Sequence, residues 1–330
     1  MQEIQLYQPD LVIRPSFNDE PLEDTPNRQF IVANTLPITI EEMRSTHIIP
    51  VYAKDNEPLI SHNDFIDVVE SVVWEAYKGE YILKPIVRVS HPIKGRVPEA
   101  RNKPANELND WEKTLYYERM AFIIEIPSID TDINGNNLSL TIGGVKSYSQ
   151  DNLYGKKGSD EHFKVFVGFK NQVCTNLCVW TDGFMDRIEV DCIGMLKACT
   201  QNLIERYNVN YQISQMQLLP DYSLTEHQFA TLIGKCRMYG HLPNQLKNQI
   251  PQLQLGDTQI AAVCKDYYKD NSFSRESNGN INLWKLYNLF TGANKSSYID
   301  NFLDRGVNAY HFVERIRFGL ENKQANWFLD

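Results

Sequence analysis

The sequence predicts an α+β fold, in which an antiparallel, β-rich N-terminal half forms a meander of hairpins and packs against an all-helical C-terminal half. Two observations predict it. Residues 120–184 alternate short apolar runs with turn signals such as Asn134-Gly135, Gly143-Gly144 and Lys156-Lys157-Gly158, a pattern typical of hairpins. From about Ile193 onward the apolar residues recur at helical spacing. Strands that precede the helices, instead of alternating with them, indicate α+β.

The N-terminal elements follow in order. Residues 1–60 predict an extended acidic arm, because prolines are frequent and periodicity is weak, although residues 31–33 and 48–52 are each able to add a strand to a sheet edge. Ser61 or Asn63 caps a helix that runs to Tyr77 and ends at Gly79. Asn134-Gly135 favours a type I′ turn, in a connection that looks longer than two residues. The remaining predicted elements of the β-rich region (residues 61–192) are a strand at 81–89, a helical turn or short helix at 110–117, and strands at 120–126, 138–142, 163–169 and 187–192.

The C-terminal region, residues 193–330, predicts only helices, packed on the sheet as one domain. Ser223-Leu224-Thr225-Glu226 has the spacing of a capping box and opens a helix to about Tyr239. Residues 240–256 predict a loop. The later predicted helices are residues 257–267, 281–290, 297–303 and 307–319.

Composition bounds the class of protein. The chain has 330 residues, of which 42% are hydrophobic and 23% charged, ordinary values for a globular protein. The start is polar and acidic, no apolar run approaches the ~20 residues of a membrane helix, and the six cysteines indicate reduced thiols, so we expect a cytoplasmic protein without membrane contact. Residues 1–70 hold thirteen acidic and four basic side chains, which accounts for the whole net charge of −9. An acidic arm is thus joined to a neutral body.

Several long phrases carry a resemblance. IGGVKSYSQDNLY, FKVFVGFKNQVCTNLCVWTDG, LWKLYNLFTGANKSSYIDNFLDR and RVSHPIKGRVPEARNKPANEL resemble an uncharacterised domain-of-unknown-function family of Bacteroides-type bacteria, over residues 60–315 and poorly over the first 60. That family is similar, more distantly, to phage/plasmid-like proteins of mobile elements. The resemblance implies a context of mobile DNA, with a turn containing Cys174 and Asn176 and a late pair, Asn288 and Thr291, as family-motif positions.

Two basic segments suggest nucleic acid as the partner. Residues 84–103 hold six basic side chains and a single acid, and a second group interleaves lysines with tyrosines. Lysines and arginines contact phosphates while aromatic faces stack on unpaired bases, the combination that single-strand binders use. We therefore expect a non-enzymatic, nucleic-acid-binding accessory of a phage, plasmid or conjugative element. The candidate binding residues are Arg88, Lys94, Arg96, Arg101, Lys103, Lys146, Tyr148, Tyr154, Lys156 and Lys157.

Other readings stay open at this point. Asp182, Glu189 and Asp191 are the alternative, as ligands of a magnesium ion in a nuclease-type enzyme, and a protein-interaction module without nucleic acid is another. No complete catalytic signature is present and no cofactor is expected. Gly143-Gly144-Val145-Lys146-Ser147 lacks the spacing of a P-loop, so the glycines indicate a bulge or a close strand contact. Cys174, Cys178, Cys192 and Cys199 fit buried thiols better than a zinc site.

Overall fold

The computed structural model of the protein describes residues 29–47, 60–153 and 160–330. In chain order its strands are β1 (Leu36–Ile38), β2 (Ile86–Val89), β3 (Pro92–Arg96), β4 (Lys113–Tyr117), β5 (Arg119–Ile133), β6 (Asn136–Ser147), β7 (Glu161–Asn171), β8 (Leu177–Cys178), β9 (Phe184–Val190), β10 (Ser223–Leu224) and β11 (Ile281–Asn282). The helices are α1 (Ile40–Thr46), α2 (His62–Ala76), α3 (Tyr148–Leu153), α4 (Ile193–Arg206), α5 (Val209–Gln217), α6 (Glu226–Tyr239), α7 (Asn244–Lys247), α8 (Asp257–Lys269), α9 (Leu283–Asn294) and α10 (Ile299–Asn322). Most of the acidic arm, residues 1–28 and 48–59, lies outside the described residues.

A seven-stranded antiparallel sheet lies at the centre of the fold. Its strands follow the order β1-β2-β5-β6-β7-β8, with β9 paired to β7 as well. Two separate pairs, β3–β4 and β10–β11, are also antiparallel. With long helices after β9, this architecture confirms the predicted α+β fold.

Both faces of the sheet are buried. Successive residues of a strand point to opposite faces, so neighbouring residues of one strand show what covers each face. On β5, Phe122 belongs to one apolar cluster and Ile123 to another. The first cluster includes Phe65 of α2, whose ring lies edge-on to that of Phe122 at 5.2 Å between centroids. The second includes Phe302 of α10. The central strands are therefore held between helices of the N-terminal and C-terminal halves.

The local signals at α2 and at the β5–β6 turn are confirmed. Ser61 is the N-cap of α2 and forms a capping box with Asp64, and Gly79 adopts a φ of +97° just after the helix. Asn134 and Gly135 have φ of +54° and +77°, as a type I′ turn requires. The connection has two residues, since Ile133 pairs with Asn136, and is thus shorter than expected.

Three predicted elements are corrected. Residues 110–117 hold one 3₁₀ turn and then β4, because pairing with β3 satisfies the backbone of that segment. The N-cap of α6 is Thr225, which forms the capping box with Gln228, while Ser223 lies in β10. The predicted helices at 297–303 and 307–319 are one helix, α10.

The described part of the arm is also folded, not extended. Phe30 and Ile31 are buried in the second apolar cluster, and β1 forms a sheet edge a few residues after the expected position. Residues 48–52 lie outside the described ranges. Among the described residues, no helix is both long enough and apolar enough to cross a membrane.

Candidate functional site

The first basic segment forms a hairpin, which we call the basic hairpin: β3, β4 and the loop 97–112 between them. Lys94 and Arg101 are exposed on it. Arg96 is half-buried and donates a hydrogen bond to the carbonyl of Lys103, and the Lys103 ammonium lies 2.8 Å from the buried Glu112 carboxylate. The hairpin therefore offers two freely exposed cations, with Arg96 and Lys103 engaged in holding the loop together.

An exposed aromatic ring lies in the same loop. The side chain of Trp111 is 71% exposed, although tryptophan is normally among the more buried residues. It is next to Glu112, whose carbonyl accepts a hydrogen bond from the backbone of Val97 at 2.9 Å, which places the backbone of residue 111 near the end of β3. Sequence reasoning missed Trp111, because the segment was assigned to a helical turn.

Three other candidate residues lie inside the fold. Arg88 is 4% exposed and donates three hydrogen bonds of 3.0–3.1 Å to Thr35. Lys146 is 1% exposed and Tyr148 is 5% exposed. A phosphate or a base has almost no side-chain surface to contact at these interior positions. We therefore exclude Arg88, Lys146 and Tyr148 from the candidate interface. Tyr154, Lys156 and Lys157 lie outside the described residues.

Lys146 instead joins the end of β6 to α3 and β7. Its ammonium lies 3.1 Å from Asp151 Oδ2 and 2.9 Å from Glu161 Oε2. Both carboxylates are otherwise satisfied by backbone N–H groups: Ile60 donates to Glu161 at 2.9 Å and His162 donates to Asp151 at 2.8 Å. The charges of this Lys146 cluster are therefore paired and hydrogen-bonded, as buried charges must be.

Two buried histidines stack beside the Lys146 cluster. His62 contacts both His47 and Tyr148, with ring centroids 4.9 Å and 4.4 Å away, and the centroids of His47 and Tyr148 are themselves 5.9 Å apart. The backbone N–H of Tyr117 donates to His47 Nδ1 at 3.2 Å, so His47 Nε2 carries the proton and donates to the Tyr148 hydroxyl at 3.1 Å. Burial lowers the pKa of His47 from 6.5 to about 4 and that of His62 well below its usual value. Both rings are thus neutral in the folded protein at neutral pH.

These histidines predict a loss of stability in acid. Between pH 6.5 and 4 the unfolded chain binds a proton at His47 that the folded protein does not, so the free energy of unfolding falls as pH falls. For His47 alone we expect a loss of about 2 kcal/mol between pH 7 and pH 5. Urea unfolding of the wild type and His47→Gln at both pH values measures it, and the variant should lose less. The matched control is His91→Gln at an exposed position, which should behave as the wild type.

The family-motif positions converge in space. Cys174 and Asn176 lie in the turn between β7 and β8, and Asn288 lies in α9. Asn176 Nδ2 donates to the Asn288 carbonyl at 2.9 Å, and Cys174 Sγ lies 3.9 Å from Asn288 Oδ1. Thr291, one turn later, donates to the backbone carbonyls of Tyr287 and Asn288 in its own helix, at 3.2 Å. Three of the four positions therefore form one polar contact between the turn and α9.

Comparison with known families gives one match. The family DUF3871, described as a domain of unknown function with a B. Theta gene description, matches residues 15–329. The chain belongs to this family. The match begins at residue 15, so it extends beyond the residues 60–315 that carry the expected resemblance and includes most of the arm. Comparisons with curated proteins and with solved structures find no significant match.

The acidic and cysteine candidates are dispersed in this family member. Asp182 accepts a hydrogen bond from Gln212 at 3.0 Å, Glu189 lies 3.5 Å from His162, and Asp191 is exposed. Within residues 29–47, 60–153 and 160–330, no three His, Cys, Asp or Glu side chains are placed to hold a metal ion. The six cysteines are free thiols, and burial raises the pKa of Cys174 to about 11 and that of Cys178 further. A thiol in this state is a poor nucleophile at neutral pH.

Proposed function

We propose that the protein is a non-enzymatic accessory of a phage, plasmid or conjugative element and binds single-stranded DNA through the basic hairpin. The observation that supports the proposal is the exposure of Trp111, at 71%, in the same loop as the exposed Arg101 and beside the strand that carries Lys94. An aromatic face stacks on any unpaired base, while the cations contact the phosphates on either side. The binding residues of the proposal are thus Lys94, Arg101 and Trp111, with Arg96 and Lys103 shaping the loop.

The charge of the hairpin limits the affinity. Exposed acids, Glu99 and Glu107, lie in the same loop, and Asp110 is neutralised by Lys113 at 2.7 Å. With so few phosphate contacts we expect weak binding that depends on low salt. The resemblance to proteins of mobile elements supports DNA as the natural partner.

Anisotropy of a fluorescent oligo-dT strand tests the proposal. Trp111→Ala is expected to weaken binding by about 1–3 kcal/mol, the usual value of one stacked base. Lys94→Ala with Arg101→Ala is expected to flatten the plot of log affinity against log salt by about 1.4, since each phosphate contact on a single strand contributes about 0.7. The fold should persist, because all three side chains are exposed or partly exposed.

The chain offers matched controls. Trp74 is 50% exposed on α2, and Trp74→Ala should leave DNA binding unchanged. Arg206→Ala with Lys269→Ala removes two exposed charges elsewhere and should leave the salt slope unchanged. Equal losses in hairpin and control variants, or no binding by the wild type at low salt, would contradict the proposal and favour a protein partner for the hairpin.

A further inference from the structure

A cleft of about 430 Å³ opens beside the family-motif turn. Its walls come from the turn between β7 and β8, from α8 with the loop 270–273 that follows it, and from α9 with the residues just after it. Small-molecule sites in proteins have volumes of about 300–1,000 Å³, so this cleft is large enough for a compact ligand. Both polar and apolar side chains line it, Val173 and Ala262 among the apolar ones.

One wall of the cleft presents a buried acceptor without a partner. Asn176 is 2% exposed, and its Oδ1 has no hydrogen-bond partner among the described residues. Its Nδ2 donates to the Asn288 carbonyl at 2.9 Å, which fixes the amide, because the flipped group would set its oxygen against that carbonyl. Buried acceptors are almost always paired in native proteins. A donor from a bound ligand would satisfy Asn176 Oδ1.

The opposite wall carries an excess of negative charge. The Asp266 carboxylate makes no hydrogen bond or ion pair within the described residues, whereas the Asp270 carboxylate accepts from the backbone N–H groups of Ser272 and Phe273 at 2.8 and 2.7 Å. The counter-charge in the cleft is Lys295, but its ammonium already donates to the Cys174 carbonyl and to Thr175 Oγ1. The charged groups left for a ligand are therefore acceptors, since two carboxylates, Asp266 and Asp270, line the cleft with one engaged cation.

We propose that this cleft binds a small organic cation with an ammonium or guanidinium head and a short carbon chain. The head donates to the Asp266 carboxylate and to Asn176 Oδ1, and the chain lies against Val173 and Ala262. Guanidinium and ammonium groups are all-donor cations, which matches the unpartnered Asn176 Oδ1 and the two carboxylates that line this cleft. The two proposals use different residues, so the DNA experiments do not decide this one.

The electrostatics of the cleft agree with a cationic occupant. Burial, together with the neighbouring Asp270, raises the pKa of Asp266, and burial lowers the pKa of Lys295 to about 8. A cation beside Asp266 would stabilise its ionised form, which the cleft alone disfavours.

Calorimetry with n-butylguanidinium tests the proposal, and its neutral isostere n-butylurea is the matched ligand. The wild type should bind the cation and bind the urea at least tenfold more weakly. Asp266→Asn should weaken the cation at least tenfold, and Glu205→Gln, an exposed acid on α4, should leave it unchanged. Ala262→Leu removes no charge but narrows the cleft, and should also weaken binding. Thermal unfolding confirms that each variant is folded.

Four other results would contradict the proposal. Equal binding of n-butylurea and n-butylguanidinium would overturn the cationic specificity, and unchanged affinity in Asp266→Asn would overturn the site. No heat with the cation, or binding of Mg²⁺ that Asp266→Asn abolishes, would overturn the ligand class.

Discussion

Replacement of Lys146 by methionine is expected to lower the free energy of unfolding by about 3–5 kcal/mol, the usual cost of breaking a buried ion pair by removing one partner. Asp151 and Glu161 each have side chains that are 3% exposed, and the Lys146 ammonium is the one group that contacts both of them within the described residues. Without it, two carboxylates face each other away from water. Methionine keeps most of the length of the side chain and is one atom shorter, so the loss reports on charge more than on volume.

Urea unfolding at pH 7 measures this effect, with Lys94→Met as the control. Lys94 is exposed, and its replacement should change the free energy of unfolding by less than about 0.5 kcal/mol. Equal small effects of both substitutions would show that the Lys146 cluster is solvated and that Lys146 is open to a ligand after all.

Local sequence signals predicted those elements whose backbone hydrogen bonds and turn geometry depend on residues a few positions apart. The Ser61 cap with Asp64 and the Asn134-Gly135 turn each satisfy the backbone within a few residues, so the sequence carries all the information. The break expected between the predicted helices 297–303 and 307–319 is absent, and Gly306 is buried within α10. A Cβ atom added to Gly306 would lie 3.6 Å from Asn294 Nδ2. Close packing there offsets the helix cost of glycine, about 1 kcal/mol.

The candidate sites were less predictable, because their contacts are distant in sequence. Asn176 and Asn288 are 112 positions apart, and only the fold shows that they meet. Lys146 was expected at a nucleic-acid interface because lysines and tyrosines follow it, and only the fold shows that its ammonium lies between Asp151 and Glu161 in the interior. The exposure of Trp111 depends on β4 pairing with β3, which the assignment of residues 110–117 to a helical turn concealed.

Gly143→Ala is expected to cost about 3 kcal/mol or more of stability, the upper range for overpacking a core. Gly143 lies in β6 between β5 and β7. A Cβ atom there would lie 2.1 Å from the Phe122 carbonyl oxygen and 2.8 Å from the Phe166 ring. The close strand contact predicted for the paired glycines is thus confirmed. Because one of the obstructing atoms belongs to the backbone, the strands themselves must separate.

Gly234→Ala is the control, and it is expected to raise the free energy of unfolding where Gly143→Ala lowers it. Gly234 lies in α6, and a Cβ atom at this position would meet nothing within 4 Å. Alanine should therefore stabilise the protein by up to about 1 kcal/mol through its higher helix propensity. The free energy of unfolding of both variants is measured by chemical unfolding. The glycine-to-alanine change restricts the unfolded chain equally at both positions, so the difference between the two variants reports the steric clash at Gly143 and the helix propensity at Gly234. If Gly143→Ala were as stable as Gly234→Ala, β6 would not lie as closely against β5 and β7 as these distances require, and the position of Lys146 three residues later on the same strand would lose its support.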